Sequence, residues 1–538
     1  MPHQYKTQNL DHLGLVAGMF DELGIGELLD QLITQDHGKR HVSIGQAVKA
    51  MIINGLGFVN QNLYLVPSFF SDKPVGKLIA PELTSEHLND DVLGRALDKL
   101  YENNVTSLFY QVSCRAVQRL GLKPAFGNLD STSFHADGRY ESSGTEDGVI
   151  HITKGYSRDH RPDLNQVVLN LITENQAGIP ILMSPGSGNS NDKTAFREII
   201  EQHIKQLEQG HQIDYIVADS ALYTSETLQS LSPYGTHWIT RVPEVIVEAK
   251  EAISSTMYQE FEPYQPGYRY LPHVTTYAGI EQRWMVIFSE AAKERSYKTL
   301  KKRYENLTST ELQQFEKLKR ERFACQEDAE RALSKALKKH KVTELAQYRV
   351  IEHPVYDKPG RPKAGEQPSA IEYSIDGVLF SRTEEFYKSW HQKSCFIVAT
   401  NQLDENELSD QDILIEYKGQ NRVEKGFRFL KDPMFLSDAL FLKSAKRIMA
   451  LMMIMTLCLL IYAAVEYKIR LGLKNTDTYF PHQTGKPIQN PTARWVFMFF
   501  HGIHILLLPD GNHIVTNLNE HHQMIIGLMG ANYQYYYS

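Results

Sequence analysis

The chain has 538 residues, too many for one hydrophobic core, so its length predicts two to four domains. With 42% hydrophobic and 22% charged residues, it has the composition of a globular protein without low-complexity tracts. The formal net charge of -7 excludes a chain that is basic throughout, so a nucleic-acid surface must be local. The four cysteines are far apart and form no CxxC pair, which indicates isolated thiols of a reducing compartment rather than disulfides or a zinc site.

One segment imitates a membrane span. Residues 448–465 are apolar except for Thr456, which is long enough to cross a bilayer. We interpret the segment as a core helix buried on all sides, because it is the only such run in the chain. The amino terminus contains no apolar stretch of the signal-peptide type. The sequence therefore predicts a cytoplasmic protein without a membrane contact.

Residues 1–122 predict an all-helical domain. Apolar residues recur at helical spacing in residues 10–33, 44–59 and 92–120, and the last helix is expected to start within residues 89–92, with Asp90 or Asp91 near its N-cap. A small basic cluster, Lys39 to His41, lies between two of these helices. The domain either binds a partner such as DNA or is a purely structural cap, and both alternatives stay open.

From residue 123 the hydrophobic period changes from that of helices to that of strands. Two predicted strands each end on an aspartate, Asp130 and Asp219. A hairpin and a helix lie between these strands, and a short helix and a further strand follow. Strand, hairpin, helix, strand, helix, strand is the order of an α/β RNase H-like core. We assign its first part to residues 123–242 and its second part to residues 394–470.

Residues 243–393 interrupt that core as a mainly β insertion domain. Its charged helical hairpin is predicted over 291–306 and 309–341, and the second helix starts at the capping-box pair Thr308 and Glu311. Mixed-sign charges are typical of a solvated surface, with a DNA contact as the alternative. Residues 471–538 are predicted to be a helical C-terminal region.

Tyr417 to Lys431 is predicted as one helix with two functional stripes. Its polar face carries residues at offsets 0, 3, 7, 11 and 14, namely Tyr417, Gln420, Glu424, Arg428 and Lys431. An adjacent apolar stripe is expected to pack on a core, and consists of Val423, Phe427 and Leu430. On this face Glu424 could hold a metal while Arg428 and Lys431 meet a phosphate backbone. The alternative is an ordinary solvated amphipathic helix.

Three carboxylates together predict a metal site. Asp130, Asp219 and Glu424 offer the hard oxygen ligands that Mg²⁺ prefers. Two such ions, about 4 Å apart, can activate a nucleophile and stabilise the leaving oxygen of a phosphodiester. In that arrangement Asp130 bridges both ions, and the other two acids hold one ion each. A single aspartate at a strand end is commonly a turn or cap residue, but the combination with Glu424 favours the metal site.

These motifs resemble the DDE transposases of bacterial insertion sequences, in the group whose third acid lies in a Tyr-x2-Arg-x3-Glu-x6-Lys signature. Here the signature reads Tyr417-x2-Gln420-x3-Glu424-x6-Lys431, with Gln420 at the arginine position. Asp130 precedes a Ser-Thr pair and Asp219 follows Val-Ala, as in the first two acids of the family. The large insertion, and the stretches 156–163 and 491–495, are similar to those of members with a β-rich insertion domain.

The resemblance implies an enzyme, a polynucleotidyl transferase and endonuclease. It would cleave double-stranded DNA at terminal inverted repeats and transfer the strands into target DNA, within a synaptic homodimer. Two Mg²⁺ ions, for which Mn²⁺ could substitute, would be its cofactors, and in relatives excision can pass through a DNA hairpin. The expected location is the bacterial cytosol, in association with the nucleoid.

The resemblance also implies DNA contacts by Tyr417, Arg428 and Lys431 near the scissile phosphate. Arg158 and Arg161 are further candidates for phosphate contacts, with hairpin-surface charges as the alternative. Relatives stack a flipped base on a tryptophan of the insertion domain, but Trp238 and Trp284 lie in apolar strands and are expected to pack in a core. Two other functions stay open: a non-catalytic DNA-binding relative, and an RNase H-like nuclease without strand transfer.

Overall fold

The computed structural model of the protein describes residues 6–34, 41–59, 63–136, 140, 146–157, 161–357, 360, 365, 367–432, 435 and 442–538. The chain divides into two compact units. The first unit comprises residues 1–240, 276–281 and 400–538, and the second comprises residues 241–275 and 282–399. The finer division into five domains stays a prediction.

The helices are α1 (Leu13–Glu22), α2 (Ile25–Leu32), α3 (Ile44–Leu56), α4 (Val66–Phe70), α5 (Val75–Leu78), α6 (Asp90–Glu102), α7 (Val105–Arg119), α8 (Asp192–His211), α9 (Ser225–Leu231), α10 (Val247–Ser254), α11 (Glu290–Arg320), α12 (Gln326–Leu337), α13 (Thr383–Ser394), α14 (Asp410–Gly419), α15 (Asn421–Leu430), α16 (Ala445–Asn475), α17 (Ala493–Phe499), α18 (Glu520–Met529) and α19 (Ala531–Gln534). The strands are β1 (Lys6–Asn9), β2 (Phe126–His135), β3 (Gln166–Glu174), β4 (Pro180–Ser187), β5 (Tyr215–Ala218), β6 (His237–Arg241), β7 (Glu262–Gln265), β8 (Tyr268–Tyr277), β9 (Ile280–Ser289), β10 (Thr343–Val355), β11 (Ala370–Ser381), β12 (Cys395–Thr400), β13 (Phe480–Pro481), β14 (Pro487–Ile488), β15 (His504–Leu507) and β16 (His513–Thr516).

A mixed sheet organises the first unit. Five of its strands lie side by side in the order β4-β3-β2-β5-β6. β3 pairs antiparallel with both β4 and β2, whereas β2, β5 and β6 run parallel. Every residue of β3 is buried, as expected for a strand covered on both faces. The predicted mixed α/β class is therefore confirmed.

The apolar helix α16 is the core of the first unit. Among the described residues it is the one helix long and apolar enough to span a membrane, but 83% of its apolar window is buried. Helices α1, α3, α6 and α7 pack against it from the amino-terminal region, and α15, α17 and α18 pack against it from the carboxyl-terminal part. The prediction of a buried core helix is confirmed.

The amino-terminal helices differ from their predicted form in detail. The segment 10–33 divides at Gly24, whose φ of +64° ends the continuous helical path. Asn89, rather than either aspartate, caps α6, since its side chain accepts the N–H of Val92. Helix α3 is buried at every position except Gln46, so it has no free face with which to enter a DNA groove. Lys39 and Arg40 lie outside the described residues.

The second unit contains the strand order β12-β9-β8-β7 and a separate antiparallel ribbon of β10 and β11. The predicted break between two charged helices is wrong, because α11 runs without interruption from Glu290 to Arg320. Glu311 does not close a capping box. Its buried carboxylate accepts the backbone N–H groups of Lys341 at 2.7 Å and Thr343 at 2.9 Å, and so ties the start of β10 to the middle of α11.

We expect Glu311→Gln to destabilise the second unit by about 1–3 kcal/mol, because charge-assisted bonds to buried donors become neutral ones. Burial raises the pKa of Glu311, but its bonds to Lys341, Thr343 and Val342 outweigh that effect and hold the pKa below its ordinary value. The contribution of the ionised group is therefore present above about pH 4.3, the pKa of an unfolded glutamate, and is lost as the pH falls through the lower folded-state pKa. Urea unfolding at pH 7 and at pH 3.5 checks this.

The control is Glu316→Gln, an exposed glutamate of the same helix, for which a change within about 0.5 kcal/mol is expected. An unchanged difference between wild type and Glu311→Gln at the two pH values would contradict the assignment.

Candidate active site

Asp130 and Asp219 follow neighbouring positions of two adjacent parallel strands. The register pairs Leu129 of β2 with Ala218 of β5, and each aspartate is the next residue in its strand direction. Adjacent strands lie about 4.8 Å apart, and paired residues of parallel strands point to the same face. The pairing therefore brings the two half-buried aspartates together at the end of the paired segment of β2 and β5.

The strand that carries Asp130 is longer than predicted. β2 pairs with β5 only as far as Leu129. Its pairing with β3 continues beyond that point to His135, and within it Asp130 is opposite Leu171. The short strand predicted to end on Asp130 is thus a segment of a ten-residue strand. The reason is long-range, since β3 offers a partner to the whole of β2.

Both aspartate side chains are oriented by local backbone donors. Asp130 Oδ1 accepts the N–H of Ser131 at 2.7 Å, and Asp219 Oδ1 accepts the N–H of Ala221 at 2.9 Å. Thr240 of β6 donates its hydroxyl to the carbonyl oxygen of Asp219 at 2.7 Å. The backbone under Asp219 is therefore fixed by a strand on the side opposite to β2.

The predicted single helix from Tyr417 to Lys431 is wrong, because two helices occupy this stretch. Helix α14 ends at Gly419, α15 begins at Asn421, and Gln420 is the junction between them. Gly419 is a weak helix former at the point of interruption. Tyr417 and Glu424 consequently lie on different helices, and Lys431 caps the end of α15. The five residues do not form one continuous helical face.

Helix α15 packs against β2, and two side-chain contacts show how the two elements are aligned. At one end the Gln420 side-chain nitrogen lies 3.5 Å from the Leu129 carbonyl oxygen. At the other end Lys431 Nζ lies 5.9 Å from the centre of the Phe134 ring. From Gln420 to Lys431 the helix rises over eleven residues, and from Leu129 to Phe134 the strand rises over five. Both rises are about 16 Å, so the helix and the strand run in the same direction. By these ideal rises, Glu424, about 6 Å beyond Gln420 along the helix, is expected to be level with Asp130 and Ser131.

The apolar stripe of α15 anchors this arrangement, as predicted. Val423 and Leu430 are fully buried and Phe427 is 6% exposed. Glu424 and Arg428 are exposed on the other side of the helix. Gly426 allows α15 to pack closely on α16, because a Cβ at this position would lie only 3.0 Å from the side chain of Leu459.

The donor set fits a hard divalent cation. All three acids belong to the first unit, and carboxylate oxygens with water complete the shell of Mg²⁺. Among the described residues, no three His, Cys, Asp or Glu side chains are grouped as closely as metal ligands. Asp130 and Asp219 each turn an oxygen towards a backbone donor.

The predicted DNA-contacting residues have different surroundings. Tyr417 is half-buried in the last turn of α14, and Arg428 is exposed. Arg161 makes two hydrogen bonds to Asp163, at 3.0 and 2.9 Å, and these bonds lower the pKa of that carboxyl to about 2. The Asp163 carboxylate therefore partly neutralises the cation that a phosphate would have to share with it. Arg158 lies outside the described residues.

Trp238 and Trp284 are both 1% exposed, which confirms that they pack in the protein interior. Two further residues near the site were not predicted from sequence. Ser131 donates its hydroxyl to Asp192, the first residue of α8, at 2.7 Å, and Thr240 holds the backbone of Asp219 as described above. The hydroxyl residues are visible in the sequence, but their partners come from distant segments, so no local pattern identifies them.

Comparison with known proteins places the chain in a family. Residues 123–461 match the family model described as a transposase DDE domain, and residues 5–114 match one described as a domain of unknown function (DUF4277). The chain belongs to the transposase DDE domain family, which covers more than half of its length. No curated protein matches its sequence.

A solved structure, described as the cryo-EM structure of the piggyBac transposase synaptic complex with hairpin DNA, aligns with 93% of this chain and 82% of that chain. The two sequences are 9% identical and the TM-score is 0.36.

We expect Leu430→Ala to cost about 2–5 kcal/mol of stability, because the cavity would open beneath the helix that carries Glu424. Lys425→Ala, at an exposed position of the same helix, is the matched control and should change stability by less than about 0.5 kcal/mol. Chemical denaturation of both variants checks this. Equal midpoints for the two would show that the stripe does not anchor α15.

Proposed function

We propose that this protein is a DNA transposase that cleaves the ends of a mobile element and joins them to target DNA. The observation that supports it most is the pairing of Leu129 with Ala218, which puts Asp130 and Asp219 at the next positions of two adjacent strands, while α15, the helix of Glu424, packs on β2. Membership of the transposase DDE domain family supports the same chemistry. We further infer that the first unit contains an RNase H-like core, because its antiparallel β4-β3-β2 followed by parallel β5 and β6 is the strand order expected for one.

The three acids would act as metal ligands and not as nucleophiles. Two Mg²⁺ ions, or Mn²⁺ in their place, would lower the pKa of the attacking hydroxyl and stabilise the leaving oxygen. Asp130, whose neighbour Leu129 pairs with Ala218 beside Asp219, is proposed as the acid that would contact both ions. Asp219 and Glu424 would each hold one. Thr240 would keep Asp219 in position through its carbonyl oxygen.

The distribution of charge supports local contacts with DNA. The second unit carries 26 Lys and Arg against 22 Asp and Glu, a formal net charge of +4, whereas the first carries 31 against 42, or −11. Phosphate contacts in the first unit must therefore come from particular cations near the acids, for which Arg428 and Lys431 on α15 are proposed, with Tyr417, Arg161 and Arg158 as further contacts. The second unit, which corresponds to the proposed insertion domain 243–393, is the more basic of the two.

The proposed substrates are the terminal inverted repeats of an element and a double-stranded target, held by a homodimer. The domain boundaries proposed from sequence are 1–122, 123–242, 243–393, 394–470 and 471–538. The burial of α3 favours a structural role for the first of these over DNA reading.

We expect Asp130→Asn, Asp219→Asn and Glu424→Gln each to reduce metal-dependent cleavage by at least about 10³-fold, because each removes a charged metal ligand without changing side-chain size. The measurement is nicking of a duplex that carries the inverted repeats flanking the gene, with Mg²⁺ or Mn²⁺. Asp214→Asn is the control, an exposed aspartate just before the other end of β5. Full activity in any one of the three variants would exclude the three-acid site.

The products of the same reaction separate the alternative functions. Joined products identify a transposase, whereas hydrolysed ends alone identify a nuclease without strand transfer. Tight binding of the repeats without cleavage at any metal concentration would identify a non-catalytic DNA-binding relative.

We expect Arg428→Ala and Lys431→Ala to weaken DNA binding similarly for all sequences, because phosphate contacts carry no base information. Each should reduce the slope of log K against log salt concentration by about 1. The measurement is the binding constant for the cognate repeat and for an unrelated duplex, taken from about 50 to about 200 mM salt. An unchanged slope would remove the residue from the DNA contact.

A further inference from the structure

An open groove lies in the second unit between α11 and α13, and its volume is about 830 Å³. One wall is a stripe of α11 from Tyr297 to Arg320, whose members recur three or four positions apart and so share one side of the helix. The opposite wall consists of the end of β11 and the first turns of α13. Along that stripe α11 rises about 35 Å, so the groove is an elongated surface and not a closed pocket.

Four aromatic side chains form one end of the groove. The ring centre of Phe386 is 5.9 Å from that of Tyr297 and 5.5 Å from that of Tyr387. Tyr304, further along α11, contacts the same ring at 5.1 Å. These edge-to-face contacts hold the rings in place, yet Tyr297 is 39% exposed and Tyr387 is 60% exposed. Two fixed tyrosine rings therefore offer part of their surface to a ligand.

The rest of the groove is positively charged. Lys301, Lys317 and Arg320 are exposed along the α11 wall. Among the described residues, none forms an ion pair with these three cations. One further arginine and two glutamates line the groove, so four cations and two acids give it a formal charge of +2. One of the acids, Glu316, is already paired with Lys319 at 3.0 Å, which increases the excess of positive charge.

Rings and cations in one groove are the groups that bind a single strand of nucleic acid. The cations of such a site follow the phosphates, while successive bases stack on the aromatic rings. In a duplex the faces of the bases are covered by neighbouring bases, so exposed rings favour an unpaired strand. A helical peptide, the alternative occupant, is held by apolar anchors. Leu312 is the one aliphatic side chain among the described residues that line the groove, which disfavours the peptide.

We propose that this groove, the α11–α13 groove, binds single-stranded DNA. Bases stack on Tyr297 and Tyr387, and phosphates contact Lys301, Lys317 and Arg320. The charged helix α11 is thus a DNA contact along one stripe. Binding needs none of the three acids, so the groove is a separate site. An unpaired strand at a cleaved element end is the ligand that the proposed function would supply, and to that extent the inference rests on it.

The test is the Kd of the full-length protein for a fluorescent oligothymidine of about 12 nucleotides, measured by anisotropy without a divalent metal. Tyr387→Ala and Tyr297→Ala should each raise the Kd about 5–150-fold, because each removes a stacking platform for a base. Tyr387→Phe keeps the ring and should bind as wild type does. Tyr348→Ala is the matched control, since this tyrosine of β10 is 47% exposed but does not line the groove.

The phosphate contacts are measured by the salt dependence of the same Kd. Lys301→Ala should reduce the slope of log K against log salt concentration by about 0.7, the value for one phosphate contact on a single strand. Lys302→Ala, an exposed cation of α11 outside the groove, should leave the slope unchanged. Equal slopes for Lys301→Ala and Lys302→Ala would exclude Lys301 from the contact and overturn the assignment of the α11 stripe.

An unchanged Kd in both Tyr387→Ala and Tyr297→Ala would overturn the proposal and leave a protein segment as the occupant of the groove. An equal loss of affinity in Tyr348→Ala would also overturn it, because the effect would not belong to the groove. Thermal unfolding followed by circular dichroism shows whether each variant is folded. If Tyr297→Ala does not fold, Tyr387→Ala decides, since this side chain is the more exposed of the two.

Cleavage by Asp130→Asn separates this proposal from the proposed function. If Asp130→Asn cleaves the repeats at the full rate, the three-acid function fails, and the groove still stands or falls with Tyr387→Ala. If Asp130→Asn loses cleavage but Tyr387→Ala binds the oligothymidine normally, only the groove fails. The two results are independent, because strand binding is measured without the metal that cleavage requires.

Discussion

The parallel pairing of β2 with β5 is the constraint on which the candidate site depends. Because Leu129 is opposite Ala218, two aspartates almost ninety residues apart in the chain become neighbours. A shift of the pairing by one residue would send one aspartate to the opposite face of the sheet. The antiparallel β3 fixes that register from the other side, since it is paired with β2 from Gly127 to His135. The geometry of the acids is therefore a property of the sheet and not of a loop.

The burial of α16 explains how α15, the helix that carries Glu424, is seated in the first unit. An apolar helix of this length must be covered on all sides, and the amino-terminal helices supply one part of the cover. Helix α15 supplies another, since Gly426 allows it to approach Leu459 closely. A bidentate ion pair of Arg447 with Asp98, both bonds 2.7 Å long, joins α16 to α6. The amino-terminal region is thus packed on the same helix that seats the Glu424 helix, which gives it a structural role in the first unit.

The charges in this protein serve two different purposes. Glu174 and Glu311 are enclosed and accept backbone N–H groups, so they organise the fold. Arg428 and Glu424 are exposed on the outer side of α15, where a phosphate or a metal ion can reach them. Glutamate occurs in both sets, and only burial separates them. A net charge of -7 for the chain is consequently a poor guide to where DNA binds.

Much of the fold follows from local patterns. Nearby residues are enough to predict the hairpin of β3 and β4, which turns at Gly178. They also predict the caps of two helices, Asn191 for α8 and Ser409 for α14, and the apolar stripe of α15. The three acids proposed as metal ligands can also be selected from the sequence. Two of the predicted strands end on an aspartate, and the predicted helix 417–431 combines a glutamate with cations.

The sequence by itself determined which segments become strands and helices and which carboxylates stand out, because hydrophobic period and capping act within a few residues. Tertiary structure alone decided that β2 extends past Asp130 and that α11 continues through Glu311. Each of these depends on a partner far along the chain, namely β3 and the backbone of Lys341 to Thr343. Such partners are chosen by packing and by the pairing of buried polar groups, which a local pattern does not contain.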